Sequence, residues 1–160
     1  MKKKLAFCIA SLFGVGYAPV ASGTFGSLVT IPVAVFLCYY WGTLGVLIAV
    51  LLSTILGTIA TAEVLKYTKH DPSLVVIDEF AGQMLSFYLV APYCFGVLNV
   101  KTAMLYAGGF ALFRLFDITK PWLVGWADKK ILNAFGVMLD DLFAGLFAAI
   151  CLFALFYCLK

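Results

Sequence analysis

Three long stretches of the chain contain no charged residue, and this distribution constrains the fold more than any other feature. The stretches cover residues 5–62, 80–100 and 142–159. A helix crosses the hydrocarbon core of a bilayer with roughly 20 apolar residues, so each stretch can hold a span and the first can hold two. With 64% hydrophobic and only 12% charged residues, the composition is typical of a polytopic helical membrane protein rather than a soluble domain.

We therefore predict an all-α membrane protein with about five spans and one membrane-embedded domain, residues 1–160. Because lysine and arginine are favoured on the cytoplasmic side of a membrane, we place the amino terminus in the cytoplasm. Only Lys101 and Lys160 then lie outside. The spans are expected at residues 25–41, 43–62, 80–98, 102–116 and 142–159.

The segment before the first span, residues 1–22, is predicted to be interfacial or re-entrant. A signal peptide is the alternative, because Lys2, Lys3 and Lys4 precede an apolar run. Gly14 and the position of Pro19 close to the small residues disfavour that alternative.

Charged residues interrupt the apolar sequence in three clusters. An ionisable group at the bilayer centre costs about 2.5 to 3.5 kcal/mol on insertion scales, so such groups indicate a functional site. The predicted topology brings all three clusters to the cytoplasmic side, although acidic residues played no part in choosing it. The clusters are Asp78-Glu79, then Arg114, Asp117 and Lys120, then Asp140-Asp141.

Arg114, Asp117 and Lys120 are three residues apart, so a helix presents them on one face. That helix is expected to end at Lys120-Pro121, because the residue before a proline avoids the helical conformation. The functional interpretation is that the two cations hold a phosphate group, for which the planar guanidinium is well suited. The alternative is that both cations reach towards the membrane surface and that Arg114 pairs with Asp117.

Two adjacent acid pairs, Asp78-Glu79 and Asp140-Asp141, are predicted to bind Mg²⁺. Neighbouring carboxylates repel one another, and Mg²⁺ prefers oxygen ligands and keeps water or phosphate in its shell. The alternative is that they are solvated charges near helix starts, favoured by the helix dipole. A helix starting at Asp71-Pro72 would carry the first pair in its second turn.

Two weaker candidates complete the predicted site. The sequence Gly23-Thr24-Phe25-Gly26-Ser27 precedes the first span, and its hydroxyls and backbone N–H groups suit an anion, although many such turns are only turns. His70 is a possible base, but a lone loop histidine is more often solvated. The five cysteines are single residues in apolar segments and are expected to be reduced packing residues.

Four motifs, taken in order, resemble the phosphatidylglycerophosphatase A family over about residues 17–145. Two positions depart from its pattern: Ser22 and Leu123 stand where family members tend to have proline, which affects loop geometry. The motifs are Gly23-Thr24-Phe25-Gly26-Ser27; His70-Asp71 leading to Asp78-Glu79-Phe80-x-Gly82; Phe113-Arg114-x-x-Asp117-x-x-Lys120-Pro121-Trp122; and Gly136-x-Met138-x-Asp140-Asp141-x-x-Ala144-Gly145.

The resemblance implies a Mg²⁺-dependent phosphoric monoester hydrolase of phospholipid metabolism. Such an enzyme converts phosphatidylglycerophosphate in the bilayer to phosphatidylglycerol and inorganic phosphate. It implies a multi-pass protein of the bacterial inner membrane whose active site faces the cytoplasm.

We assign the expected roles on this basis. Metal binding is expected from Asp78, Glu79, Asp140 and Asp141, and phosphate binding from Thr24, Ser27, Arg114 and Lys120. Asp78, Asp117, Asp140 and Asp141 are the expected catalytic residues. The base, Asp117 or His70, stays open, as does the nucleophile, a metal-activated water or one of the aspartates.

Two rival functions use the same features. A CDP-alcohol-type phosphatidyltransferase also has aspartates at the membrane surface, but Asp140-Asp141 lacks the further aspartates that its signature needs. A small transporter subunit would distribute charges through the membrane depth, whereas these charges collect at one face. No nucleic-acid partner is expected, and the sequence predicts no protein partner.

Overall fold

The computed structural model describes residues 2–68 and 72–158, and these form seven α-helices without a strand. A short 3-10 helix, Val15–Tyr17, lies between the first two. The all-α prediction is confirmed. The helices are α1 (Lys3–Ala10), α2 (Ser22–Val64), α3 (Ile77–Ser86), α4 (Ala91–Cys94), α5 (Val100–Thr119), α6 (Leu123–Lys130) and α7 (Ala134–Cys158).

Two of the described helices, α2 and α7, are long and apolar enough to cross a membrane. The backbone of Gly42, with φ 56° and ψ −138°, is not helical and divides the 43 residues of α2 into 22–41 and 43–64. The division falls where the sequence separates the first two predicted spans. Large apolar side chains such as Leu44 and Ile55 are exposed on α2, as expected for a surface that contacts lipid.

The count of about five spans is not confirmed. Residues 80–98, predicted as one span, fall across two short helices, α3 and α4, with turns between and after them. Helix α5 has 20 residues but carries Lys101, Arg114 and Asp117, and it is not among the described helices apolar enough to qualify.

Helix α3 lies in the centre of the molecule, packed against α2 and α7. Met84 of α3 and Phe87, which directly follows the helix, are fully buried in the core. Two glycines bring α3 and α7 close together: a Cβ atom on Gly145 would overlap the carbonyl oxygen of Gly82, and one on Gly82 would overlap that of Asp141. This close crossing sets the first turn of α3 beside Asp140 and Asp141 of α7.

The amino-terminal segment packs against the same end of the bundle. Ala6 and Ala10 of α1 are buried in a cluster with Val64 and Val76, and the Val76 N–H donates to the Ala10 carbonyl at 2.9 Å. With eight residues, α1 is too short to cross a bilayer. An interfacial location for residues 1–22 stays a prediction.

Helix boundaries agree with the sequence in one case and differ in another. Helix α5 ends at Thr119, as Pro121 predicts, and Lys120 follows in the left-handed conformation with φ 43°. The expected helix start at Asp71-Pro72 is wrong. Asp71 lies outside the described residues, but α3 begins only at Ile77, so Asp78 and Glu79 occupy its first turn rather than its second.

Candidate functional site

Residues of all three charged clusters line one cavity of about 140 Å³, between α3, α5, α6 and α7, and of the seven cluster members only Arg114 is not among its lining residues. Six of the residues that line it are acidic and one is a lysine. The lining residues are Asp78, Glu79, Asp117, Lys120, Asp128, Ile131, Gly136, Val137, Asp140 and Asp141. The convergence predicted from the topology is therefore present in the fold.

Three carboxylates form the innermost part of the cavity. Asp78, Glu79 and Asp141 each offer an oxygen, and these oxygens lie within 4.8 Å of one another. Asp78 is 6% exposed and Asp141 3% exposed. The close crossing of α3 and α7 at Gly82 and Gly145 keeps the backbones that carry these three side chains together.

The three carboxylates fit a divalent cation. Glu79 Oε2 is buried and has no hydrogen-bond partner within the described chain, which leaves a lone pair available to a ligand. Three carboxylate oxygens at this spacing suit Mg²⁺, which completes its shell with water and phosphate oxygens. Asp140, the fourth predicted ligand, lies outside this group of three.

The two acids on α3, Asp78 and Glu79, have raised pKa values because of burial and of other carboxylates close by. Burial raises the pKa of the Glu79 carboxyl to about 8, and the nearby Asp141 and Asp117 charges act in the same direction. Burial, reinforced by the charge of Glu79, also raises the pKa of Asp78 well above its ordinary value. The charged forms of these acids are therefore unfavourable until a cation lies among them.

Arg114 lies beside the acids and the start of α2. Its Nη1 is 2.7 Å from Asp117 Oδ2 and 3.5 Å from Ser27 Oγ, while its Nε is buried without a partner in the described chain. A Cβ atom on Gly23 would overlap Glu79 Oε1 and would lie 3.3 Å from Arg114 Nη1. Glycine at position 23 thus allows the backbone of α2 to approach both charged groups.

The Gly23 to Ser27 motif is part of α2, which starts at Ser22, rather than a turn before the helix. Ser27 is buried and donates to the Gly23 carbonyl at 3.0 Å, so its oxygen faces Arg114 as an acceptor. Thr24 lies in the same turn and is not among the residues that line the cavity.

Lys120 is already engaged by two acids. Its Nζ is 2.6 Å from Asp128 Oδ1 and 2.8 Å from Asp140 Oδ2. Burial lowers the pKa of Lys120, but the hydrogen bonds to Asp128 and Asp140 outweigh it and the pKa is raised. The ammonium group stays charged at neutral pH and has one N–H left for a further acceptor.

Asp128 is the site residue that the sequence motifs did not reveal. It belongs to α6, lines the cavity and pairs with Lys120. In the sequence, Asp128 lies between the second and third charged clusters, eight residues after Lys120, and this position was the one available signal. His70, the possible base, lies outside the described residues.

The arrangement combines a cation site with two positive side chains. Arg114 and Glu79 both lie against Gly23, and Lys120 contacts Asp140, so the two positive side chains are near the acidic residues. Such a site can bind a phosphate group and stabilise negative charge that develops on its oxygens.

Comparison with known proteins agrees with this chemistry. The family model described as phosphatidylglycerophosphatase A matches residues 8–156. A phosphatidylglycerophosphatase A of Escherichia coli (strain K12) is 33% identical over 138 residues, which are 86% of this chain and 75% of that protein. The protein of the same name from Haemophilus influenzae is 35% identical, over 91% of this chain and 85% of that protein.

A further relative carries another name. A Bacteroides thetaiotaomicron protein, provisionally named a phosphatidylinositol-3-phosphatase, is 32% identical over 91% of this chain and 90% of its own length. Both names describe a phosphatase that acts on a phosphorylated phosphatidyl lipid. No solved structure matches the chain significantly.

Proposed function

The chain belongs to the phosphatidylglycerophosphatase A family, and we propose that it hydrolyses phosphatidylglycerophosphate to phosphatidylglycerol and inorganic phosphate with Mg²⁺ held by Asp78, Glu79 and Asp141. One observation carries the proposal of a metal. The oxygens of three acidic side chains, of which Asp78 and Asp141 are buried, lie within 4.8 Å of one another, and Glu79 Oε2 has no partner within the described chain. A bound Mg²⁺ would supply positive charge opposite the phosphate oxygens.

The side chains around the acids are assigned to the phosphate. Arg114 binds an oxygen through its buried Nε, which has no other partner in the described residues, while Asp117 holds its Nη1 in place. Lys120 binds a second oxygen through its remaining N–H. Asp140 holds that ammonium from α7, so its role is to orient Lys120 rather than to bind metal.

The reaction breaks the bond between phosphorus and the headgroup oxygen. Water attacks phosphorus, the phosphoryl group becomes inorganic phosphate, and the glycerol oxygen leaves and takes up a proton to become the new alcohol. The proton that the attacking water loses balances the one that the glycerol oxygen gains. Asp117 lines the cavity and is our candidate for taking the proton from the attacking water. Positioning and charge stabilisation supply most of the catalysis in phosphoryl transfer.

Removal of the metal tests the proposal directly. Phosphate release from phosphatidylglycerophosphate in detergent is expected to fall at least about a hundredfold after EDTA treatment, because no cation then balances the charge on the phosphate oxygens. Added Mg²⁺ should restore the rate. The Glu63→Gln variant serves as the control, since Glu63 pairs with Lys66 outside the cavity. Full turnover in excess EDTA would remove Mg²⁺ from the proposal.

We also propose that the protein crosses the bacterial inner membrane about five times and that the cavity opens to the cytoplasm. The support is the positive-inside distribution of lysine and arginine, together with α2 and α7 as candidate spans. The acids and Lys120 would then lie where a lipid headgroup reaches the cytoplasmic surface.

An odd number of spans places the two chain ends on opposite sides of the membrane. With the amino terminus inside, a reporter fused after residue 160 is expected outside the inner membrane. An alkaline phosphatase fusion there should be active and a green fluorescent protein fusion dark. The opposite pair of signals would contradict five spans, and the same two reporters inserted between α2 and α3 provide the cytoplasmic control.

A further inference from the structure

Asp128 occupies the more open side of the cavity. Its side chain is 32% exposed, compared with 10% for Asp140, the other acid that contacts Lys120. Helix α6 holds it there through Val124 and Ala127, which are fully buried, and Val124 packs in a cluster with Phe113 and Ala144. Asp128 is therefore fixed in position although it is partly open to solvent.

The chain folds back tightly to bring Asp128 to Lys120. Lys120 adopts the left-handed conformation, and a Cβ atom on Gly125 would come within 2.5 Å of the Lys120 carbonyl oxygen. Glycine at this position lets the first turn of α6 lie against the end of α5. The proposed reaction assigns the orientation of the ammonium group to Asp140 and gives Asp128, which also contacts it, no further role.

The contact between Asp128 and Lys120 leaves hydrogen-bonding capacity unused. Only Oδ1 of Asp128 contacts Lys120, at 2.6 Å, and a carboxylate has about four lone-pair positions. An acceptor is thus held next to the cation that we assign to the phosphate. A substrate group one carbon away from the phosphate ester would lie within reach of it.

We propose that Asp128 accepts a hydrogen bond from the hydroxyl group on the carbon next to the phosphate-bearing carbon of the headgroup. In phosphatidylglycerophosphate this is the secondary hydroxyl of the glycerol linker. Asp128 therefore selects hydroxylated headgroups over phosphate monoesters that lack this group. The inference rests on the proposed function, since it requires the phosphate to be bound at Lys120.

The negative charge of Asp128 cannot by itself make the protein prefer one phosphate monoester over another. A carboxylate near the phosphate repels every phosphate monoester to a similar extent, so it gives no preference among substrates. A hydrogen bond from a hydroxyl to a carboxylate is charge-assisted and stronger than one between neutral groups. Only a substrate with the hydroxyl gains it, so the ratio of two substrates isolates the contact.

The test compares phosphatidylglycerophosphate with an analogue whose linker is propane-1,3-diol, which lacks only the secondary hydroxyl. The wild-type protein should prefer the natural lipid in kcat/KM by about tenfold. In Asp128→Ala the two values should become nearly equal, and Asp128→Asn, which keeps one acceptor oxygen, should fall between. Glu63→Gln should keep the wild-type ratio, because it changes an acid paired with a lysine outside the cavity.

A ratio measured within one variant is independent of the fraction of folded protein, so a merely structural role of Asp128 leaves it unchanged. An unchanged ratio in Asp128→Ala, or equal rates for both lipids in the wild type, overturns the inference and leaves the proposed function standing. Hydrolysis of neither lipid by the wild type overturns the proposed function, and this inference with it.

Discussion

Asp141→Asn is expected to lower kcat for phosphatidylglycerophosphate by at least about a thousandfold, because the proposed cation site loses a charged ligand that has no substitute. Asp141 is 3% exposed and forms no ion pair with the described cations. Asparagine has the same shape, so the packing of α7 against α3 should be kept.

The same substitution should stabilise the metal-free protein. Asp141 lies among the carboxylates of Asp78 and Glu79, and removing one of three crowded acids relieves their repulsion. We expect Tm without metal to rise by a few degrees and the increase in Tm that Mg²⁺ gives the wild type to disappear. Rates of phosphate release and thermal unfolding with and without Mg²⁺ measure both effects.

Asp140→Asn is the matched comparison, since it changes the neighbouring residue of the same helix. Asp140 is held by Lys120 at 2.8 Å, so its replacement breaks an ion pair and should lower Tm rather than raise it. Mg²⁺ should still stabilise this variant. Wild-type kcat in Asp141→Asn, or equal effects of Mg²⁺ on Tm in that variant and the wild type, would remove Asp141 from the cation site.

The sequence was sufficient to find the pair Asp140-Asp141, but not to tell which partner each of the two acids faces. The acid pair was recognisable because charges are rare in so apolar a segment. Consecutive residues of a helix point about 100° apart, so one of them faces Lys120 and the other faces α3. Which of them faces which partner depends on how α7 is rotated, and that rotation is set by Gly82 and Gly145.

Local signals predicted some boundaries because the cause was local. Pro121 ends α5 after Thr119, and Gly42 has a backbone conformation that no helix residue adopts. The start of α3 has a distant cause. Val76 is not helical and its N–H donates to Ala10 of the amino-terminal segment, which no pattern around Asp71 can reveal.

Asp128 was missed for a related reason. Helix α6 has eight residues, too few for a clear apolar period, and Asp128 is followed by Lys129 and Lys130 as in an ordinary solvated turn. Its place at the cavity depends on the turn that folds α6 back onto α5. The number of spans depends in the same way on α3 and α4, whose division the composition of residues 80–98 does not indicate.

The crossing of α3 and α7 is the structural requirement of the site, and Gly145 tests it. Alanine at this position would place its Cβ atom on the Gly82 carbonyl oxygen. Backbone atoms cannot move aside as a flexible side chain can, so we expect a loss of about 3 kcal/mol in the free energy of unfolding, the upper part of the range for overpacked cores.

Gly145→Ala should therefore lower both Tm and Mg²⁺-dependent phosphate release, because separating the helices also separates Asp78 and Glu79 from Asp141. Gly108→Ala is the control: its Cβ atom would meet only the flexible Leu152 Cδ1, at 3.3 Å, and it should behave as the wild type. Thermal unfolding and size-exclusion chromatography in detergent, followed by the phosphate assay, distinguish the two variants. If Gly145→Ala keeps the wild-type Tm and rate, the acids do not depend on this crossing for their spacing.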